Sequence, residues 1–105
     1  MVDEMVQRQP VLDEAAGRYV HVEDGATAVL DFKVTGTLLV IEHVVVPDEI
    51  SGRGIGSELV AAAVARANDE GRTVVPRCPF ARRWLRRHPD VAAVTSVDWE
   101  ASPHP

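Results

Sequence analysis

The sequence predicts a mixed α/β fold of the α+β kind, with an antiparallel meander followed by a strand, a helix, a second strand and a second helix. Two patterns lead to this prediction. In the first half of the chain, apolar and polar residues alternate between glycine turns, as in short antiparallel strands. After residue 54 the apolar residues recur at helical spacing instead. With 105 residues, the chain has enough material for one hydrophobic core.

Three segments rich in β-branched residues are the predicted strands of the meander, namely 18–23, 27–34 and 37–46. The pair Asp24-Gly25, between the first two strands, is a strong hairpin signal. Gly36 separates the second strand from the third, and Pro47 ends the third because proline cannot continue a central ladder. Consecutive strands joined by such short turns are expected to pair antiparallel.

A long helix is predicted from Ile55 to about Glu70, with Gly71 as its C-terminal cap. A short extended segment, 73–75, follows at once. A strand-helix-strand unit of this length normally places its two strands parallel, so we expect 73–75 to run parallel to 37–46. The apolar face of the helix consists of Ile55, Leu59, Ala62, Ala63 and Ala67.

A second helix is predicted to begin at Pro79 and to end before Pro89. A short strand is predicted near 94–97. The polar face of the second helix is most simply a solvated surface, and its functional alternative is contact with an anionic group or an acidic partner. One face carries Phe80, Ala81, Trp84, Leu85 and His88, and the other carries Arg82, Arg83, Arg86 and Arg87.

The composition excludes several classes of protein. A net charge of −5 disfavours non-specific binding to nucleic acid or to anionic membranes. We expect neither a signal peptide nor a membrane span, because no apolar run is long enough. Cys78 is the single cysteine, which rules out an internal disulfide and favours a reducing, cytoplasmic location. We divide the chain into a flexible arm (1–16), one domain (17–98) and a disordered tail (99–105), with no metal site.

The segment Ser51-Gly52-Arg53-Gly54-Ile55-Gly56 lies directly before the long helix. A helix N-terminus presents backbone N–H groups without intrahelical partners, and glycines let an anion approach them. Arg53 is expected to add charge-assisted hydrogen bonds. The spacing excludes a P-loop and a dinucleotide-binding fold, because the Lys-Ser/Thr pair and the distal acid are missing. From the residues alone, phosphate binding and a purely structural strand-to-helix turn both remain open.

Four sequence blocks, in this order along the chain, resemble the acetyl-CoA-binding core of the GNAT N-acetyltransferase superfamily, and most closely its small single-domain YjdJ-type branch. The blocks are Glu42-His43-Val44-Val45-Val46-Pro47, Gly52-Arg53-Gly54-Ile55-Gly56-Ser57, Val74-Val75-Pro76-Arg77-Cys78-Pro79-Phe80 and Arg86-Arg87-His88-Pro89. One departure is Ser51, where the superfamily more often has Gln or Arg. The resemblance implies a minimal GNAT-like fold with a splayed mixed sheet.

The resemblance also implies a binding mode for acetyl-CoA, in which the loop amides hold its pyrophosphate and the strand before the loop pairs with its pantetheine arm. A splay between that strand and 73–75 would leave main-chain groups unpaired, and an amide-rich arm can bond to such an edge. By position, the loop residues are Gly52, Arg53, Gly54, Ile55, Gly56 and Ser57, and the strand residues are Val44, Val45 and Val46.

Three side chains are candidates for the chemistry. His43 is the preferred general base, because an imidazole titrates near neutral pH. Glu42 is the alternative, and on a regular strand only one of the two can face the cleft. Cys78 lies beside Arg77 and before a helix N-terminus, which both favour a thiolate; it is an acyl-carrying nucleophile, a contact of the CoA sulfur, or a small buried filler. Phe80 stands near the position of the superfamily's proton-donating tyrosine and cannot donate a proton.

The leading interpretation is an acetyl-CoA-dependent N-acetyltransferase whose amine acceptor is unknown. The predicted elements of this chain include no counterpart of the N-terminal helices that enclose the acceptor site in larger superfamily members. We therefore expect an open acceptor cleft. The alternative is a non-catalytic module that binds acyl-CoA or mediates protein contacts. A nucleic-acid-binding basic helix is disfavoured by the net charge and by the lack of exposed aromatic residues for stacking.

Overall fold

The computed structural model describes residues 10–99 and contains one five-stranded sheet. Its strands are β1 (Val11–Asp13), β2 (Arg18–Glu23), β3 (Ala26–Thr35), β4 (Leu38–Val45) and β5 (Thr73–Pro76). The helices are α1 (Ile55–Glu70), α2 (Pro79–Arg87) and α3 (Pro89–Ala93), and a short 3₁₀ turn (Asp48–Ile50) lies between β4 and α1.

The strands lie in the sheet in the order in which they occur in the chain. β1 to β4 pair antiparallel. β5 pairs parallel with β4, with Leu38 opposite Thr73 and Ile41 opposite Pro76, and α1 forms the crossover between them. The predicted mixed α/β fold, including the parallel last strand, is confirmed.

The core lies between one face of the sheet and the helices. Leu30 and Ile41 of the sheet, Leu59 and Ala63 of α1, and Leu85 of α2 have no exposed surface. Burial of each large aliphatic side chain contributes about 1.5–3 kcal/mol. The alternating apolar residues of the strands and the helically spaced apolar residues of α1 therefore pack into the same core. None of the helices within residues 10–99 is both long and apolar enough to cross a bilayer.

The C-terminus of α1 has the cap that its sequence predicts. Gly71 has a φ of +68°, and its N–H donates to carbonyl groups of the last turn, including that of Ala67. Just before it, the carboxylate of Glu70 accepts hydrogen bonds from Arg72 at 2.8 Å and from Arg66 at 3.0 Å. The hydrogen bonds from Arg72 and Arg66 lower the pKa of Glu70.

Part of the segment predicted as a flexible arm (1–16) forms a strand. Val11–Asp13 form β1 and pair with β2. Gly17, with a φ of +67°, makes the turn between the two strands. All three residues of β1 are exposed, so ladder hydrogen bonds rather than burial hold it, and no hydrophobic pattern marks it in the sequence. Residues 1–9 of the predicted arm lie outside the described part of the chain.

The C-terminal prediction also needs correction. The strand predicted at 94–97 is reduced to a single parallel bridge between Val97 and β5. The second helix ends at Arg87, before Pro89, as predicted, and Pro89 also opens the additional helix α3, because a proline at the first position of a helix needs no N–H partner. Trp99, the first residue of the predicted tail, is half-buried against the core. Residues 100–105 lie outside the described part.

Candidate functional site

Two glycines give the loop between β4 and α1 its backbone conformation. Gly52 has a φ of +79° and Gly54, which caps α1, has a φ of +81°. This left-handed region costs a residue with a Cβ about 1–2 kcal/mol. A Cβ at either position would meet no atom within 4 Å. These two glycines are therefore required by the backbone, and the space beside them is open.

The third glycine, Gly56, has a different role. It lies in the first turn of α1, where a Cβ would come within 2.7 Å of Cζ of Phe80. The ring of Phe80 thus rests directly on the backbone of α1. Gly56 is required by the packing of α2 on α1, and the loop's three glycines serve two separate purposes.

The loop presents a row of free backbone donors. The N–H groups from Gly52 to Ser57 have no acceptor within residues 10–99. The first hydrogen bond of α1 runs from the N–H of Glu58 to the carbonyl of Gly54, at 3.1 Å. The helix macrodipole adds the equivalent of about half a positive charge at this end. Six consecutive amides and an open surface form a cradle that fits an anionic group.

The guanidinium of Arg53 is hydrogen-bonded to other parts of the protein and is not free to contact a ligand in the cradle. Its guanidinium donates to carboxylate oxygens of Glu23 and Asp24, both at 2.7 Å, and to the carbonyl of Glu49 at 3.2 Å. The hydrogen bonds that Arg53 donates to Asp24 and Glu23 raise the pKa of its guanidinium. Arg53 therefore ties the glycine loop to the turn between β2 and β3. The predicted phosphate contact by Arg53 would require it to leave these partners.

The pairing between β4 and β5 ends at Ile41, before the part of β4 that leads into the glycine loop. The carbonyl of Ile41 accepts the N–H groups of Arg77 and Cys78, at 3.1 and 3.2 Å, as the chain turns from β5 into α2. Beyond Ile41, no strand within residues 10–99 pairs with β4 on that side. Val45, in this segment, is 54% exposed. The predicted splay is thus present in the geometry as an open edge of β4.

The two predicted base candidates lie at an irregularity of β4. Phe32 of β3 faces Ile41, but Asp31 faces His43, so Glu42 is an additional residue in β4. Such a β-bulge interrupts the alternation of side chains between the two faces. The expectation that Glu42 and His43 occupy opposite faces assumed a regular strand, so at this bulge simple alternation no longer decides which of them faces the cleft.

The bulge leaves His43 exposed on the face of the sheet that points away from α1, next to Asp31 in the facing strand. Directly opposed residues of antiparallel strands have Cβ atoms about 4.5–5.5 Å apart. Asp31 in turn accepts a hydrogen bond from Nε of Arg18 at 2.8 Å. Asp31 and Arg18 are not among the predicted site residues, because the bulge shifts the register that brings Asp31 opposite His43.

Cys78 lies on the other side of the same ladder end. It is the N-cap residue of α2, only 6% exposed, and belongs to the core on the helix side. Its thiol is free. The structure thus places Cys78 and His43 on either side of the point where β4 and β5 separate, with the glycine loop beyond. Phe80 packs on Gly56 and brings no proton donor.

Comparisons with known proteins agree with this architecture. A family profile described as GCN5-related N-acetyl-transferase matches residues 18–94. The solution NMR structure of a GCN5-like protein from Staphylococcus aureus superposes with a TM-score of 0.67 over 92% of this chain and 97% of that chain. The two sequences are 21% identical, so the likeness concerns the fold. A comparison with curated protein sequences finds no match.

Proposed function

The chain belongs to the GCN5-related N-acetyltransferase family, and we propose that it transfers an acetyl group from acetyl-CoA to an amine. The observation that carries this proposal is the cradle of six free amides, from Gly52 to Ser57, beside the open edge of β4. A site for CoA has to accommodate both a diphosphate and an amide-containing arm. The two features supply these needs side by side.

The cradle suits the diphosphate of CoA for two reasons. Its donors are main-chain N–H groups at a helix N-terminus, which favour an anion through both hydrogen bonds and the macrodipole. Its surface at Gly52 and Gly54 is free of side chains and would be narrowed by any larger residue. The side chain of Ser51 is directed elsewhere, because its Oγ donates to the carbonyl of Asp48 at 3.0 Å.

The open edge of β4 suits the pantetheine arm. Past Ile41 the strand keeps its pairing with β3 but has lost β5, so main-chain donors and acceptors are left for a ligand. The residues concerned are Val44, Val45 and Val46, as the family resemblance implies. Bound in this way, acetyl-CoA brings an activated acetyl group, its thioester, to the end of the β4–β5 ladder.

His43 is the general base of the proposed reaction. The acceptor amine forms a C–N bond to the thioester carbonyl carbon, the C–S bond breaks, and the imidazole of His43 takes the proton that the amine loses. Asp31 faces His43 in the adjacent strand, and we propose that its carboxylate orients the imidazole during the reaction. Water protonates the leaving thiolate, because Phe80 cannot. Glu42 is the alternative base at the same bulge.

Cys78 has a supporting place in this proposal. The backbone N–H of Cys78 donates a hydrogen bond to the carbonyl of Ile41. Cys78 therefore lies at the end of the β4–β5 ladder, where the acetyl group is expected. It either contacts the sulfur of CoA or accepts the acetyl group as a thioester before the amine does. Because Cys78 is a free thiol, we place the activity in the reducing cytoplasm.

The test combines binding with turnover. Calorimetric titration with CoA should show binding, and release of free thiol from acetyl-CoA should depend on added amines such as polyamines or lysine peptides. Replacing His43 by glutamine should lower kcat by about 10²–10⁴ and leave CoA affinity unchanged. Intact-mass measurement with wild type and Cys78→Ala reports an acetyl-enzyme, as a mass gain confined to the wild type. Absence of CoA binding would contradict the proposal.

A second function, acyl-CoA binding without turnover, is favoured by one observation. By the family resemblance Phe80 stands near the position of the proton-donating tyrosine, and its ring, which packs on Gly56, offers the leaving group no proton. A binding module predicts CoA affinity with no thiol release for any amine. Thiol release that requires both an amine and His43 would exclude it.

A further inference from the structure

The arginine row of α2 divides into two pairs with different surroundings. Arg82 donates to the carbonyl groups of Pro76 and Trp99, at 3.4 and 3.3 Å. Arg86 lies over the ring of Trp99, with 5.5 Å between its guanidinium carbon and the ring centroid. These two arginines are engaged with the C-terminal segment. Arg82 is half-buried, so the prediction of a solvated face does not describe it, whereas Arg86 remains exposed as predicted.

Arg83 and Arg87 form the second pair, and they have no carboxylate partner within residues 10–99. They are four residues apart and so lie on the same face of α2, where two like charges destabilise the helix. Arg83 has one described contact, the face of the Phe80 ring at 6.0 Å. Two uncompensated cations therefore stand beside the ring that packs on the first turn of α1.

Between these arginines and α1 lies a small cavity of about 170 Å³. It is lined by Ser57, Phe80, Arg83, Trp84, Arg87 and His88. Ser57 is also the last residue of the amide cradle. The cavity and the cradle are therefore adjacent parts of one surface.

The chemistry of the lining favours an anion. Besides the two guanidinium groups it includes the hydroxyl of Ser57 and the indole of Trp84, and no carboxylate. Trp84 is 8% exposed, and its Nε1–H is buried without an acceptor within residues 10–99. His88 stacks on the indole at 4.1 Å and donates from Nδ1 to the Trp84 carbonyl at 2.7 Å, which holds this wall in place.

We propose that Arg83 and Arg87 bind the ribose 3′-phosphate of CoA and so make the protein selective for CoA over 3′-dephospho-CoA. This inference rests on the proposed function, which assigns the diphosphate to the amides from Gly52 to Ser57. The 3′-phosphate is the second anionic group of CoA, one ribose away from the diphosphate. The cavity shares Ser57 with the cradle and offers two cations without a carboxylate partner within residues 10–99 beside it.

The experiment compares the dissociation constants of CoA and 3′-dephospho-CoA by calorimetry. The proteins are wild type, Arg83→Gln, Arg87→Gln and the double variant. Arg86→Gln is the matched control, because Arg86 lies on the side of α2 that contacts Trp99 and does not line the cavity. Wild type should prefer CoA roughly tenfold or more, as expected for a charge-assisted contact. The double variant should bind both ligands equally, and its affinity for 3′-dephospho-CoA should be unchanged. Arg86→Gln should keep the wild-type preference.

The outcomes separate this inference from the proposed function. Equal binding of the two ligands by wild type overturns the inference and leaves the proposed function intact. A preference that survives in the double variant, or is lost equally in Arg86→Gln, also overturns it, because the 3′-phosphate is then bound elsewhere or only by general attraction. Failure to bind either ligand overturns the proposed function itself. Circular dichroism establishes that each variant is folded.

Discussion

Replacing Gly56 by alanine tests how α2 is seated on the glycine loop. The new Cβ would lie 2.7 Å from Cζ and 3.1 Å from Cε1 of Phe80. Non-bonded carbons rest about 3.5–4.0 Å apart, so the ring has to retreat by about 1 Å. Overpacking of this kind costs about 1–3 kcal/mol. Alanine also gains up to about 1 kcal/mol over glycine in a helix, so we expect a net loss of roughly 1 kcal/mol in the free energy of unfolding.

The assay is urea unfolding of wild type, Gly56→Ala, Phe80→Ala and the double variant. Without the ring the clash disappears and the helix propensity of alanine remains, so Gly56→Ala should stabilise the Phe80→Ala protein. This change of sign corresponds to a coupling energy of about 1–3 kcal/mol. Gly54→Ala is the matched control, since its strain lies in the backbone at a φ of +81° with open space around it. Its effect should add to that of Phe80→Ala within about 0.5 kcal/mol.

Equal effects of Gly56→Ala in both backgrounds would refute this reasoning, because the cost would then come from the loop and not from the ring. If Phe80→Ala does not fold, Phe80→Leu takes its place, with a smaller coupling expected. CoA titration of the folded variants adds an independent readout. Gly54→Ala narrows the cradle and should weaken binding more than an equally destabilised Gly56→Ala protein.

Three further predictions concern charged groups. Arg53→Gln should speed hydrogen exchange of the loop amides 52–57, and Glu23→Gln should do the same in part; an effect of Arg53→Gln alone would mean that the hairpin does not hold the loop. Asp31→Asn should lower kcat while CoA affinity is kept, and it should change the His43 tautomer ratio seen by ¹⁵N NMR; an unaltered ratio contradicts the orienting role. Glu70, whose pKa is lowered from 4.5, stabilises the fold above that pH and loses the effect as the pH falls through its folded pKa, so the stability difference between wild type and Glu70→Gln should shrink in acid. A difference that is constant from neutral pH to acid would contradict this assignment.

Much of the fold follows from local patterns. The hairpin between β2 and β3 requires a tight turn whose two central residues are left-handed. Asp24 and Gly25 supply that turn, and both adopt a positive φ. Alternation in β3 and the helical spacing of α1 each identify a face that is mostly buried, although Val34 is exposed and Ala62 is half-buried. The parallel β5 follows from the handedness and length of the crossover. These elements could be predicted because each depends on residues close together in the chain.

The misjudged elements depend on distant partners. β1 is held by pairing with β2 and is exposed throughout, so its own residues carry no signal of burial. The bulge at Glu42 is a property of two strands and cannot be read from either one. Arg53 carries a charge suited to a phosphate, but the carboxylates that it contacts lie 29 and 30 positions away.

The amino-acid sequence by itself determined the order of strands and helices, the position of the glycine loop at a helix N-terminus, and the kinship that points to CoA. Only the tertiary structure decided that Phe80 packs on Gly56. It also decided that Arg83 and Arg87 have no carboxylate partner within residues 10–99, while Arg82 and Arg86 contact Trp99. The physical reason is that backbone conformation is set by each residue and its neighbours. Which charges are paired and which surfaces stay open depends on chain segments that meet only when the sheet and helices have packed.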